Sequence, residues 1–191
     1  MTTSQNKKPK ETRLSTEERN SLIAQFITNL QNAKKKDLVR LQHTKNEVSK
    51  DNLRAYQVFH RYLPKKLYYS FDEEIYFLVS ILYGIHPLHL ANKRFRSFGT
   101  TLGSLTPTPE RLFSRILTST FDKVTKYREG GGELGSLLRK GVFLASRENI
   151  GIDYTRLCKD LIYWSHPDKF VQKRWVRDFS IQSHQSKSTK K

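Results

Sequence analysis

The chain has 191 residues and a single cysteine, Cys158, which excludes an internal disulfide and a zinc site built from several cysteines of one chain. Lys and Arg number 35 against 18 Asp and Glu, a formal charge of +17, so the natural partner is a polyanion: nucleic acid first, an anionic membrane surface second. Eleven Phe, nine Tyr and two Trp supply the material for one hydrophobic core under a heavily charged surface.

Residues 1–14 and 181–191 are polar and rich in Ser, Thr, Lys and Gln, and predict disordered basic tails around one helical domain over 15–180. Each tail carries +3, so the body keeps +11 of the total. Ser15 with Glu18 forms a capping box, and Leu22, Ile23, Phe26, Ile27 and Leu30 follow at helical spacing. AKKKDLVRLQ (33–42) leads into a shorter helical piece. In LRAYQVFHRYLP (53–64), Leu53, Tyr56, Phe59 and Leu63 share a side before Pro64 stops the helix.

Asp72, Glu73 and Glu74 open the next helix, where acidic side chains suit the N-terminal dipole. Its body, IYFLVSILY (75–83), is apolar nearly all round and predicts a central buried helix. That stretch is half the length of a membrane span, and MTTSQNKKPKETR has no apolar signal region; the expectation is a soluble, cytoplasmic protein. Pro87 and NKRFRSFGTTLGSLTPT (92–108) read as a long connection. Thr108, Pro109 and Glu110 start a helix with Leu112, Phe113, Ile116 and Leu117 inward. EGGGELG (129–135) precedes a helix over about 134–147, Asp153 caps another with Leu157, Cys158, Leu161 and Ile162 inside, and Pro167 starts the last. No segment alternates with a period of two, and no internal repeat appears. The class is all-α, a single compact domain of about eight helices.

The cations give the chain its chemistry. On a helix over 167–179, Lys169, Lys173 and Arg177 fall within about 80° of one another, and Val171, Trp175 and Phe179 take the opposite face. Trp175 then anchors the helix to the core while the charges point outward. A solvated face is the ordinary alternative. Like charges one turn apart, however, repel by about 0.2–0.5 kcal/mol per pair, and only Asp168 and Asp178 soften this from the sides. A phosphate backbone relieves that repulsion. KRFRSF (93–98) interleaves Lys93, Arg94 and Arg96 with Phe95 and Phe98, charges for phosphates beside rings that either stack on bases or tuck the loop onto the core. Arg111 and Arg115 stand one turn apart after Pro109; Arg139, Lys140 and Arg147 line the outer side of the 134–147 helix; Arg156 and Lys159 stand opposite Leu157 and Leu161.

Catalytic and cofactor readings fare worse. GGGELG (130–135) has no preceding strand and no closing Gly-Lys-Ser/Thr, so it reads as a hinge rather than a phosphate loop. HPLH (86–89) offers two histidines around a proline without a nearby cysteine or carboxylate pair, which predicts no metal site. Pro167-Asp168 opens a helix and lacks the acidic partner a Mg²⁺-dependent nuclease needs. The expectation is a protein with no catalytic residues, no cofactor and no metal; a basic scaffold binding structured RNA or protein partners is the alternative to a strand-holding subunit.

The order of segments resembles the small subunit (CasB family) of type I-E CRISPR surveillance complexes, known as Cascade. The resemblance is carried in sequence by LVRLQ; AYQVFHRYLP; EEIYFLVSILYGIH; FGTTLGSL; ERLFSRIL; LGSLLRKGVFLA; and DLIYWSHPDKFVQKRWVRDF, together spanning about residues 38–179. It implies a helical, non-enzymatic subunit of two small lobes, present as a pair. Such a subunit contacts the backbone and large subunits, the CRISPR RNA and the target DNA, and holds above all the displaced strand of the R-loop. Carried onto matching positions, that role falls on Arg40, Arg111, Arg115, Arg139, Lys140 and the cations of 169–177. Leu112 stands where many relatives have a second basic residue, and the N-terminal extension and Gly130–Gly132 have no counterpart.

Overall fold

The computed structural model describes residues 14–44, 53–90, 96–120 and 132–188. Its helices are α1 (Thr16–Gln31), α2 (Lys35–Gln42), α3 (Leu53–Tyr62), α4 (Glu73–Ile85), α5 (Phe98–Gly103), α6 (Glu110–Thr118), α7 (Gly132–Arg147), α8 (Tyr154–Ile162) and α9 (Phe170–Ser188). The all-α expectation holds. Strand-like pairing among the described residues is confined to one isolated parallel bridge, His89 to Ile152.

α4 organises the rest. Every residue from Ile75 to Ile85 is buried, as its near-uniform apolar sequence requires, and α2, α3, α7 and α8 all pack against it. A Cβ on Gly84 would lie 2.8 Å from the Leu38 carbonyl oxygen of α2, so a side chain there would force those two helices apart. Edge-to-face rings of Phe26, Phe59, Tyr76 and Phe77 tie α1 and α3 to α4. At the other end of α4 the buried Tyr154 hydroxyl donates to the His86 carbonyl at 2.6 Å, joining α8 to the helix terminus. Buried apolar side chains from both halves of the chain form one continuous core.

Caps and boundaries follow local chemistry at several ends. The Ser15–Glu18 box is present in both directions, at 3.2 and 3.1 Å, and the Asp153 carboxylate accepts the Arg156 N–H at 2.8 Å. Three boundaries differ from expectation. The expected connection 92–108 contains α5, whose glycines make it a poor helix on propensity alone; Ser97 caps it and packing against α9 sustains it. The last helix begins at Phe170 rather than Pro167, because Lys169 sits in the left-handed region at φ 51° and turns the chain into the helix. α9 then runs on to Ser188, past the expected boundary at 180, with Ser183 buried and Gln182 beside Gly103 of α5.

Candidate nucleic-acid interface

α6 and α7 pack with an open groove of about 560 Å³ between them. Arg111 and Arg115 reach it from α6 and Lys140 from α7, above a floor of Leu112, Leu137 and Leu144 with Phe143 at its side. The helices meet this way because Phe113 and Ile116 of α6, and Leu137, Leu138 and Val142 of α7, turn into the core, leaving their basic positions on the rim. Arg115 donates to the Glu133 carboxylate at 2.7 Å, with both side chains largely exposed. Arg111 and Lys140 are exposed and form no ion pair among the described residues.

The second basic row lies on α9. Val171, Trp175 and Phe179 are buried, and Lys173 and Arg177 are exposed, as helical spacing predicts. Lys169 is exposed too, but it precedes the helix and only its carbonyl joins the ladder, accepting the Lys173 N–H at 3.0 Å. α9 and α6 are joined by the rings of Phe179 and Phe113, stacked with centroids 3.9 Å apart.

Other predicted residues take different positions. Arg40 is exposed on α2, 3.8 Å from the buried Asp37 carboxylate, which also accepts the Tyr62 hydroxyl at 2.8 Å. Arg96 is exposed just ahead of the α5 cap, and Arg147 is exposed in the last turn of α7, where a cation suits the dipole. Lys93, Arg94 and Phe95 lie outside the described residues; Phe98 is a core residue.

Arg139 is the main correction. Periodicity points it outward, yet its guanidinium donates to the carbonyls of Gln42 at 2.7 Å and Thr44 at 2.6 Å. These belong to the end of α2, whose last carbonyls lack intrahelical partners. Partial burial lowers the guanidinium from its ordinary value, and the group serves as a clamp between helices distant in sequence. Arg156 is likewise committed, 3.0 Å from the buried Asp160 carboxylate. That carboxylate also accepts from Arg174 and from the Trp175 indole, each at 2.5 Å. Burial pushes the Asp160 carboxyl up, while the Trp175 and arginine donors pull it back. His86 and His89 are similarly engaged: His86 Nε2 donates to the Ile150 carbonyl at 2.8 Å, and His89 Nδ1 accepts the Tyr154 N–H at 3.2 Å.

Phe143 is the residue the sequence reading passed over. At about 100° per residue it lies about 40° from Arg139 and 60° from Lys140, inside the basic stripe of α7 and away from its apolar one. An aromatic ring among cations was therefore visible in the spacing.

A basic groove and a separate basic helix face thus lie on one all-helical fold. The family model for CRISPR-associated protein Cse2 matches residues 37–179. The chain belongs to the Cse2 family. Three solved structures have similar folds. A Cse2-family protein of Thermus thermophilus, TTHB189, is 22% identical with a TM-score of 0.61, covering 87% of this chain and 99% of that one. CasB of M. ruber is 18% identical with a TM-score of 0.58, covering 90% and 97%. A chain of a CRISPR RNA-guided surveillance complex is 17% identical with a TM-score of 0.58, covering 90% and 96%. No match is found among curated proteins. Among the described residues no helix is long and apolar enough to cross a membrane.

Proposed function

We propose that this chain is a non-catalytic subunit of a type I-E CRISPR RNA-guided surveillance complex, and that it holds target DNA, chiefly the displaced strand. R-loop formation exchanges a DNA duplex for a hybrid of similar stability, so modest protein–backbone contacts shift the balance. The subunit supplies such contacts, slows re-annealing of the displaced strand, and sits beside the backbone and large subunits with a second copy of itself. Family membership supports the assembly. The observation that carries the DNA-holding role is the gathering of Arg111, Arg115 and Lys140 around one groove, with Lys173 and Arg177 exposed on α9.

Six cations, Arg96, Arg111, Lys140, Arg147, Lys173 and Arg177, are exposed and form no ion pair among the described residues. If they neutralise six phosphates, binding of a single strand falls with salt at a log–log slope of about −4. Fluorescence anisotropy of labelled single-stranded DNA against the full chain measures it. Charge reversal at Arg111, Lys140 and Lys173 together flattens the slope by about 2 and weakens all sequences alike. A slope near about −1, unaltered by the reversals, overturns the reading. In the assembled complex, crosslinks from these positions fall on the displaced strand of an R-loop.

A further inference from the structure

The α6–α7 groove has a component that phosphate binding alone does not use: the Phe143 ring, 44% exposed beside the basic rim. A lone exposed phenylalanine carries little information. Here three further facts bear on it. Along α7, Phe143 falls between Arg139 and Lys140 in angle, on the basic side of the helix. The Arg139 guanidinium lies 6.0 Å from the ring centroid and is itself fixed on the Gln42 and Thr44 carbonyls, so the ring stands against an immobile cation. The groove it borders, about 560 Å³, is of small-ligand size and has an apolar floor.

We infer that the groove is a nucleobase subsite, in which Phe143 stacks on an unpaired base while Arg111 and Lys140 take the flanking phosphates. The inference rests on the nucleic-acid reading above and specifies its substrate: a single strand with accessible bases, not a duplex. Cations beside an aromatic face provide for both parts of a nucleotide, and stacking is tolerant of base identity because every base offers a π-face. The same site is closed to duplex bases, whose faces are covered by their neighbours. The charge of the rim favours this occupant over an apolar protein segment, which would leave Arg111 and Lys140 without counter-charge.

The test uses the full chain, an oligothymidylate strand, an abasic strand of equal length, and a duplex. Phe143→Leu keeps an apolar side chain at a partly exposed position outside the core, and an unchanged melting temperature checks the fold. The expected result is a loss of oligothymidylate affinity of about 5- to 150-fold, the range for one base–aromatic stack. Binding of the abasic strand and the duplex stays within about twofold, and the salt slope is unchanged. Equal weakening on all three probes, or none on oligothymidylate, overturns the stacking inference. If Arg111→Glu and Lys140→Glu also leave binding unaltered, the groove itself is not the DNA site and the broader reading fails with it. A strand carrying 5-bromouracil crosslinks to the segment around Phe143 in the assembled complex; crosslinking of that segment to another protein subunit instead sinks the proposal.

Discussion

Replacing Gly99 with alanine tests the helix contact that seats the basic face of α9. Gly99 lies in α5, and a Cβ built on it falls well inside van der Waals distance of the Trp175 carbonyl oxygen. The neighbouring atoms are backbone, so no rotamer change relieves the clash, and α5 must lift from α9. Gly103, one turn on, repeats the geometry: a Cβ added there would lie 2.7 Å from the Phe179 carbonyl oxygen and 3.1 Å from Gln182 Cβ. Overpacking of this kind costs about 1–3 kcal/mol, whereas helix propensity alone favours alanine by about 0.8–1 kcal/mol. The two effects have opposite signs, and the steric one is larger because it acts on two backbones. The net expectation is a loss of up to about 2 kcal/mol, which at about 2–4 °C per kcal/mol lowers Tm by up to about 8 °C. Scanning calorimetry of wild type, Gly99→Ala, Gly103→Ala and the double variant measures it. A raised Tm for Gly99→Ala would show that close approach of α5 and α9 does not matter to stability, and would refute the reasoning.

Three other outcomes are expected. Asp160→Asn leaves the Arg156 and Arg174 guanidiniums without their buried carboxylate; because both are partly exposed, the loss is about 2–4 kcal/mol rather than the full cost of a stranded buried charge. Urea unfolding reads it, and a change below about 0.5 kcal/mol would mean the cluster contributes nothing. The Cys158 thiol is fully buried and burial pushes it up, so a thiol-specific disulfide reagent reacts with native protein only at the rate of unfolding; prompt reaction in native buffer contradicts the packing of α8. Glu133→Gln frees Arg115 from a surface pair of about 0.2–1 kcal/mol, and anisotropy shows tighter binding of single-stranded DNA by about 1.5- to 5-fold. Unchanged affinity indicates that Arg115 makes no contact with the strand.

Local periodicity carried the reading as far as local forces reach. The opposition of Trp175 to Lys173 and Arg177 follows from 100° per residue, and Trp175 is indeed fully buried. Buried α4 follows from a run with no polar face. Positions where a long side chain or a close backbone contact decides the outcome were not legible. Arg139 lies on the outward side of α7 by angle, but its reach lets it find carbonyls about a hundred residues earlier, a tertiary fact with no trace in spacing. α5 has two glycines in six residues and looks like loop by propensity; those glycines are what admit α9. Asp160 shares the buried side of α8 with Leu157 and Leu161; besides Arg156 one turn earlier on the same helix, its partners Arg174 and Trp175 come from α9, which spacing within α8 does not show. Lys169 leaves the predicted stripe because backbone geometry at one residue, φ 51°, begins the helix later than the proline suggested.

The placement of the two tryptophans has a practical side. Trp164 and Trp175 lie 4.9 Å apart, one bonded to the Ser119 carbonyl at 3.0 Å and the other to Asp160. Their ultraviolet emission therefore reports on α8, α9 and the end of α6, and is silent about α1 to α3, whose rings are Phe and Tyr. Emission and far-ultraviolet dichroism will trace the same melting curve only if both ends of the core unfold in one step.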